Sequence, residues 1–132
     1  RRTRRECVVM GTSTGTGDAP TLFADVDPDA DVAKNEVFGP ILSFIPFDDE
    51  EHAIQLANDS DYGLAAYIES ESVKRVHRVS AALEAGTVWV NGFFDLPVGA
   101  PFGGYKQSGV GHVGGKWGIQ EFCRTKNVWM KL

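Results

Sequence analysis

Between residues 41 and 91 the chain switches regularly between two hydrophobic rhythms. "ILSFIPF" is apolar and β-prone, with Pro46 limiting its hydrogen bonding near the end. "DDEEHAIQLAN" follows. Asp48 suits a helix N-cap, Glu51 three residues on completes a capping-box arrangement, and Ala53, Ile54 and Ala57 fall on one helical face. "NDSDYG" closes that helix with turn residues. "LAAYIES" reads as a strand. Ser70 then caps "ESVKRVHRVSAALEAG", where Val73, Val76, Val79 and Leu83 recur every three or four positions. Gly86 supplies a left-handed stop, and "TVWVN" is the next strand. Strands alternating with helices predict an α/β fold with a βαβαβ parallel-type core and right-handed crossovers.

The flanks are less regular. "ECVVMG" and "TLFADV" are short strand candidates separated by the loop "TSTGTGDAP", and "DPDADVAKN" reads as a connection or one helical turn. After Asn91 the texture changes, since the span from Gly86 to Gly118 holds ten of the fifteen glycines. So long a connection is usually functional or disordered. Its aromatics, Phe93, Phe94, Phe102 and Tyr105, argue against disorder. A short helix is expected around "KWGIQEFC", then a strand over "TKNVWMKL" with Val128, Met130 and Leu132 alternating. That last strand has no evident neighbour, and an unpaired apolar edge calls for another segment or another subunit.

Composition narrows the function classes. A chain of 132 residues with 42% apolar residues is one domain's worth and can build a core. A net charge of −5 argues against a nucleic-acid surface. The basic start "RRTRR" reads more simply as a frayed terminus or helix end than as a phosphate contact. There is no apolar run of membrane-spanning length and no signal-peptide pattern, so a cytoplasmic location is expected. Cys7 and Cys123 lie far apart without metal-ligand spacing and read as reduced thiols. No metal site is expected. Nothing in spacing pairs either cysteine with His52, His77 or His112 as a catalytic couple. The chain opens on arginine rather than methionine, and a piece of a longer protein is expected.

Two glycine patterns invite a nucleotide reading and fail it. "GVGHVG", Gly109 to Gly114, spells G-x-G-x-x-G. A dinucleotide fingerprint must follow a buried strand and be answered by an acidic residue about 20 positions later. "PFGGYKQS" is no such strand, and the chain ends too soon. "GTSTGTG" lacks the lysine of a phosphate loop. "NEVFGP", Asn35 to Pro40, carries different chemistry. Glu36 and Phe38 point the same way if locally extended. A carboxylate can accept hydrogen bonds from a ribose diol, and a phenyl ring can pack on a flat heterocycle. Taken alone the hexapeptide is equally an ordinary loop entering a strand.

"PTLFADV", "NEVFGP", "LANDSDYGLAA", "AGTVWVN" and "PFGGYKQSG" occur in that order, and from Pro20 to Leu132 the chain resembles the C-terminal part of the aldehyde dehydrogenase superfamily. The resemblance implies residues 1–124 as the C-terminal portion of the catalytic domain and 125–132 as an oligomerisation strand. It implies oxidation of an aldehyde to a carboxylic acid with NAD or NADP, through a cysteine thioester that a glutamate-activated water hydrolyses. It assigns Glu36 to the nicotinamide ribose, as a cofactor holder and not the general base, and Phe38 to the nicotinamide side. Gly92, Phe94, Leu96 and Phe102 are its candidates for lining the aldehyde entrance, Phe102 being equally suited to anchoring the core. Thr125 to Leu132 would pair with a neighbouring subunit in a homo-oligomer. The nucleophile and the general base fall upstream of the matched region, so no catalytic residue is assigned here. Asn35 departs from the family, which often has a second acidic residue there. The alternative of a different class is a stand-alone noncatalytic binding or assembly module.

Overall fold

The computed structural model describes residues 6–9, 19–92 and 94–132. The basic pentamer, the "GTSTGTG" loop, the side chain of Cys7 and Phe93 lie outside the described residues. The chain divides into two compact units, residues 1–56 and 57–132.

The first unit is built on a three-stranded sheet ordered β1-β2-β3. Strand β1 (Glu6–Val9) runs antiparallel to β2 (Thr21–Ala24), with Cys7 opposite Phe23. One helical turn, α1 (Asp31–Lys34), leads on to β3 (Ile41–Ser43). β3 pairs parallel to β2, with Leu22 opposite Leu42. Beyond the strand ends the Phe44 N–H donates to Phe23 O at 2.8 Å and the Val26 N–H to Phe44 O at 3.0 Å. Val26 and Ala30, buried under this connection, are the buried apolar side chains among the described residues.

Helix α2 (Glu50–Asn58) arises where the capping chemistry predicts it, displaced by one residue. Asp49, not Asp48, caps it: its Oδ1 accepts the His52 N–H at 2.9 Å. His52 Nδ1 in turn accepts the Asp48 N–H at 3.2 Å, so a histidine makes the reciprocal bond expected of Glu51. Neighbouring aspartates cap equally well by type, and the helix phase chooses between them.

In the second unit the two-residue β4 (Tyr62–Gly63) precedes β5 (Ala65–Ile68). Helix α3 (Val73–Ala82) then crosses to β6 (Thr87–Val90). β5 and β6 pair in parallel, so this is the predicted βαβ unit. The continuous βαβαβ core is not found, because β3 takes β2 as its partner in a separate sheet. Hydrophobic period fixes strand existence but not strand choice, and β2 offered β3 a free edge. The cap of α3 is Ser72, accepting from the Arg75 N–H at 3.4 Å, whereas the Ser70 hydroxyl accepts from the Ser72 N–H at 3.2 Å. Along its stripe Val76, Val79 and Leu83 are half-buried and Val73 is exposed.

Gly86 does not stop α3. The helix ends on Leu83 in an extended conformation. Gly86 is glycine for another reason: a Cβ there would overlap the carbonyl oxygen of Gly103. β7 (Tyr105–Lys106) pairs antiparallel with β4, and the short helix expected around "KWGIQEFC" is α4 (Gly115–Glu121), which ends before Phe122 and Cys123. Gly109, Gly111 and Gly114 of "GVGHVG" have φ of 137°, 82° and 82°, which is the backbone freedom that this crowded turn uses. Residues 123–132 enter no ladder, so the predicted last strand is absent within the chain. A strand needs a partner for its N–H and C=O groups, and the described residues supply none.

Candidate functional site

Glu36 and Phe38 share one loop of the first unit, between α1 and β3. Its backbone is pinned at both ends. The Asn35 N–H donates to Asp31 O, and the Thr21 N–H of β2 donates to Pro40 O, each at 2.8 Å. Between them two tight i to i+2 contacts, Gly39 N–H to Val37 O and Ile41 N–H to Gly39 O, fold the chain sharply. The side chains are bare by contrast. Phe38 is 95% exposed. Glu36 is exposed, and among the described residues nothing pairs with its carboxylate. An acceptor-only group and an open aromatic face therefore stand in one loop on a pinned backbone, a combination that suits a sugar diol bearing a flat heterocycle.

The second unit holds the other candidates in two groups. Gly92, Phe94 and Leu96 follow β6, and all three are exposed. Phe94 stacks on Trp89, ring centroids 6.0 Å apart. Phe102 is half-buried elsewhere in this unit. It exchanges both backbone hydrogen bonds with Val113 at 2.8 Å and lines a cleft of about 300 Å³ with Leu64, Ser108, His112, Glu121 and Phe122. Gly92, Phe94 and Leu96 do not line that cleft. Phe102 thus stands apart from the other three, bonded into the glycine-rich segment.

That segment is fastened by residues whose role is not visible in the sequence. Lys106 Nζ donates to Asn58 O at 2.6 Å and Ser60 O at 3.1 Å, and pairs with the Glu84 carboxylate at 2.6 Å. The Asn58 amide donates to Ala82 O at 2.8 Å and accepts from the Glu84 N–H at 2.9 Å. The Gly63 N–H donates to Ser108 Oγ at 3.0 Å. The Gly86 N–H donates to Gly63 O at 3.0 Å and the Thr87 N–H to Leu64 O at 3.2 Å, so "LANDSDYGLAA", "AGTVWVN" and "PFGGYKQSG" meet as one knot, although they are dispersed along the chain. The polar turn residues of "NDSDYG" were the available signal, but type alone does not distinguish a solvated turn from a bonded one.

A family model described as the aldehyde dehydrogenase family matches residues 4–128. The chain belongs to the aldehyde dehydrogenase family. It is 46% identical over 113 residues to the NADP/NAD-dependent aldehyde dehydrogenase PuuC of Escherichia coli, covering 86% of this chain and 23% of that protein. With the betaine aldehyde dehydrogenase of Brucella anthropi it shares 40% identity over 124 residues, 94% of this chain and 26% of that one. Among solved structures, the P. syringae AldA indole-3-acetaldehyde dehydrogenase in complex with NAD+ and IAA superposes with a TM-score of 0.90 at 38% identity, over 97% of this chain and 27% of that one. The Staphylococcus aureus betaine aldehyde dehydrogenase with NAD+ gives a TM-score of 0.77 at 44% identity, over 79% and 21%. This member of the family spans about a quarter of the length of the relatives it matches.

The described residues contain no cluster of histidine, cysteine or acidic side chains that could hold a metal ion. No helix among them is long and apolar enough to cross a membrane. Cys123 is free and exposed.

Proposed function

We propose that this chain is the C-terminal part of the catalytic domain, residues 1–124, with an oligomerisation strand over 125–132, of an NAD(P)-dependent aldehyde dehydrogenase that converts an aldehyde to a carboxylic acid. The reading rests on the loop of Glu36 and Phe38: a carboxylate with no partner among the described residues and a 95% exposed ring, on one backbone pinned at both ends. Relatives solved with NAD+ support it.

Bound NAD or NADP would supply the hydride acceptor. Glu36 would hold its nicotinamide ribose, accepting hydrogen bonds from the hydroxyls. Phe38 would pack on the nicotinamide side and keep water from it. Gly92, Phe94 and Leu96 line the aldehyde entrance from the loop after β6, where apolar walls suit a substrate of little polarity, and Phe102 borders it from the glycine-rich segment. The attacking thiolate and the general base come from the remainder of the protein. Cys123 is not assigned the nucleophile's part.

Two measurements test this reading. Full-length protein containing this chain should form NADH or NADPH from an aldehyde, and the isolated 132-residue chain should form none. A full-length protein inactive on aldehydes, or an active isolated chain, would overturn the assignment. The second concerns assembly. Val128, Trp129, Met130 and Leu132 are 73%, 89%, 74% and 110% exposed, an apolar run that a second subunit would cover. Deleting residues 125–132 should shift sedimentation of the full-length protein to a smaller species. An unchanged sedimentation coefficient would remove the strand from the interface.

A further inference from the structure

Trp89 lies at the centre of a three-ring ladder in the second unit. Tyr67 sits directly opposite it on the parallel pair β5–β6, with ring centroids 5.1 Å apart and an interplanar angle of 14°. Phe94 also stacks on it, at 6.0 Å and 7°. The indole N–H donates to the carbonyl of Asp95 at 2.8 Å. One side chain of a regular strand thus grips two consecutive residues of the connection that follows it.

That connection needs gripping. Asn91 and Phe94 hold φ of 48° and 63°; asparagine tolerates this left-handed region, whereas for phenylalanine it is unfavourable. Such residues persist only where their surroundings over-determine them. Asn91 is held by its backbone N–H to Ile68 O at 2.9 Å. Its side chain adds a reciprocal pair with Ser70, accepting from the N–H at 2.8 Å and donating to the carbonyl at 2.9 Å. Phe94 is held by the face of Trp89, and the next peptide by the indole N–H. The exposed surface of Phe94 and Leu96, 73% and 38%, is therefore presented in a fixed attitude.

We propose that Trp89 is a positioning residue that sets the substrate selectivity of the enzyme, by holding Phe94 and Asp95 so that Phe94 and Leu96 offer an ordered apolar wall to aldehydes with bulky alkyl or aryl tails. The inference rests on the reading of this stretch as aldehyde entrance. Trp89 makes no contact with the reacting atoms. Its influence is on the attitude of residues that meet the tail, so it should sort substrates by tail size without altering the chemistry common to all of them.

The test is made in the full-length protein with two aldehydes, phenylacetaldehyde and acetaldehyde. Trp89→Phe keeps a ring in the ladder and removes the N–H donor. Its kcat/KM ratio for phenylacetaldehyde over acetaldehyde should fall about fivefold, the scale of one neutral hydrogen bond. The KM for the cofactor and the kcat for acetaldehyde should not move. Hydrogen exchange at the amides of Phe94, Asp95 and Leu96 should quicken. Trp89→Leu, which also removes the stack, should lower the ratio further. If Trp89→Leu does not fold, the Trp89→Phe result decides. An unchanged ratio in Trp89→Phe, or an equal fall for both aldehydes, would overturn the positioning role while leaving the aldehyde dehydrogenase reading intact. A wild-type protein that oxidises no aldehyde would overturn both.

Discussion

The loop of residues 35–40 and the knot formed by residues 58–63, 84–86 and 103–108 are built on opposite plans. In the loop the backbone is bonded and the side chains are bare. In the knot the side chains are consumed: Lys106 on two carbonyls and a carboxylate, Asn58 on both chain directions at once, Ser108 on Gly63. Both are rich in turn-type residues, and both contribute segments to the same family resemblance. The difference separates two reasons for a segment to be distinctive. A segment that serves the fold spends its polar groups internally. A segment that serves a ligand keeps them free and puts its rigidity into the backbone.

If that division is right, substitutions in the two regions should fail in different currencies, stability for the knot and cofactor handling for the loop. The largest expected effect is Gly86→Ala. The new methyl group would overlap the Gly103 carbonyl, backbone against backbone, with no flexible side chain to yield. Overpacking of this kind costs about 3 kcal/mol, to be read as a sharply lowered Tm or loss of folded full-length protein. A normal Tm would mean that the two glycines are not in contact.

Lys106→Met should come next. It removes the bonds to Asn58 and Ser60 and the partly exposed ion pair with Glu84, and should cost about 1–2 kcal/mol. Cofactor KM should be unchanged. A rise in cofactor KM without a fall in Tm would place Lys106 on the ligand side of the comparison.

Phe38→Ala should behave in the reverse manner. With 95% of the residue exposed, stability should stay within about 0.5 kcal/mol, while the KM for NAD or NADP rises about fivefold for loss of one ring contact. A drop in Tm with unchanged KM would return Phe38 to ordinary packing. The smallest effect belongs to Gly99→Ala, where an added Cβ meets nothing within 4 Å and stability should move by less than about 0.5 kcal/mol. It separates glycines required by close approach from those that are merely present.

The same contrast explains what could be read along the chain. α2, α3, β5 and β6 follow from period and turn residues because each is a local decision. The exact caps do not, since Asp48 and Asp49, or Ser70 and Ser72, are equivalent by type and differ only in phase. Nor does the partner of β3, since any free edge in reach competes for it. Gly86 was legible as a special position but not for its actual cause, because the Gly103 carbonyl it makes room for lies seventeen residues away in sequence. At the candidate site, Glu36 and Phe38 stand two residues apart, so their shared loop was visible at once. The grip of Trp89 on Phe94 and Asp95 was not: "TVWVN" reads as a strand, and nothing in it tells that the loop after it turns back to the indole.

The most direct test of the loop's role is Glu36→Gln in the full-length protein, followed by stopped-flow absorbance of NADH or NADPH in the first turnover. The amide keeps size and one acceptor oxygen but removes the charge that strengthens hydrogen bonds from a ribose diol. A burst slowed about tenfold, with Tm unchanged, is the predicted result. A burst of wild-type rate and amplitude would contradict the claim that this carboxylate holds the redox end of the cofactor.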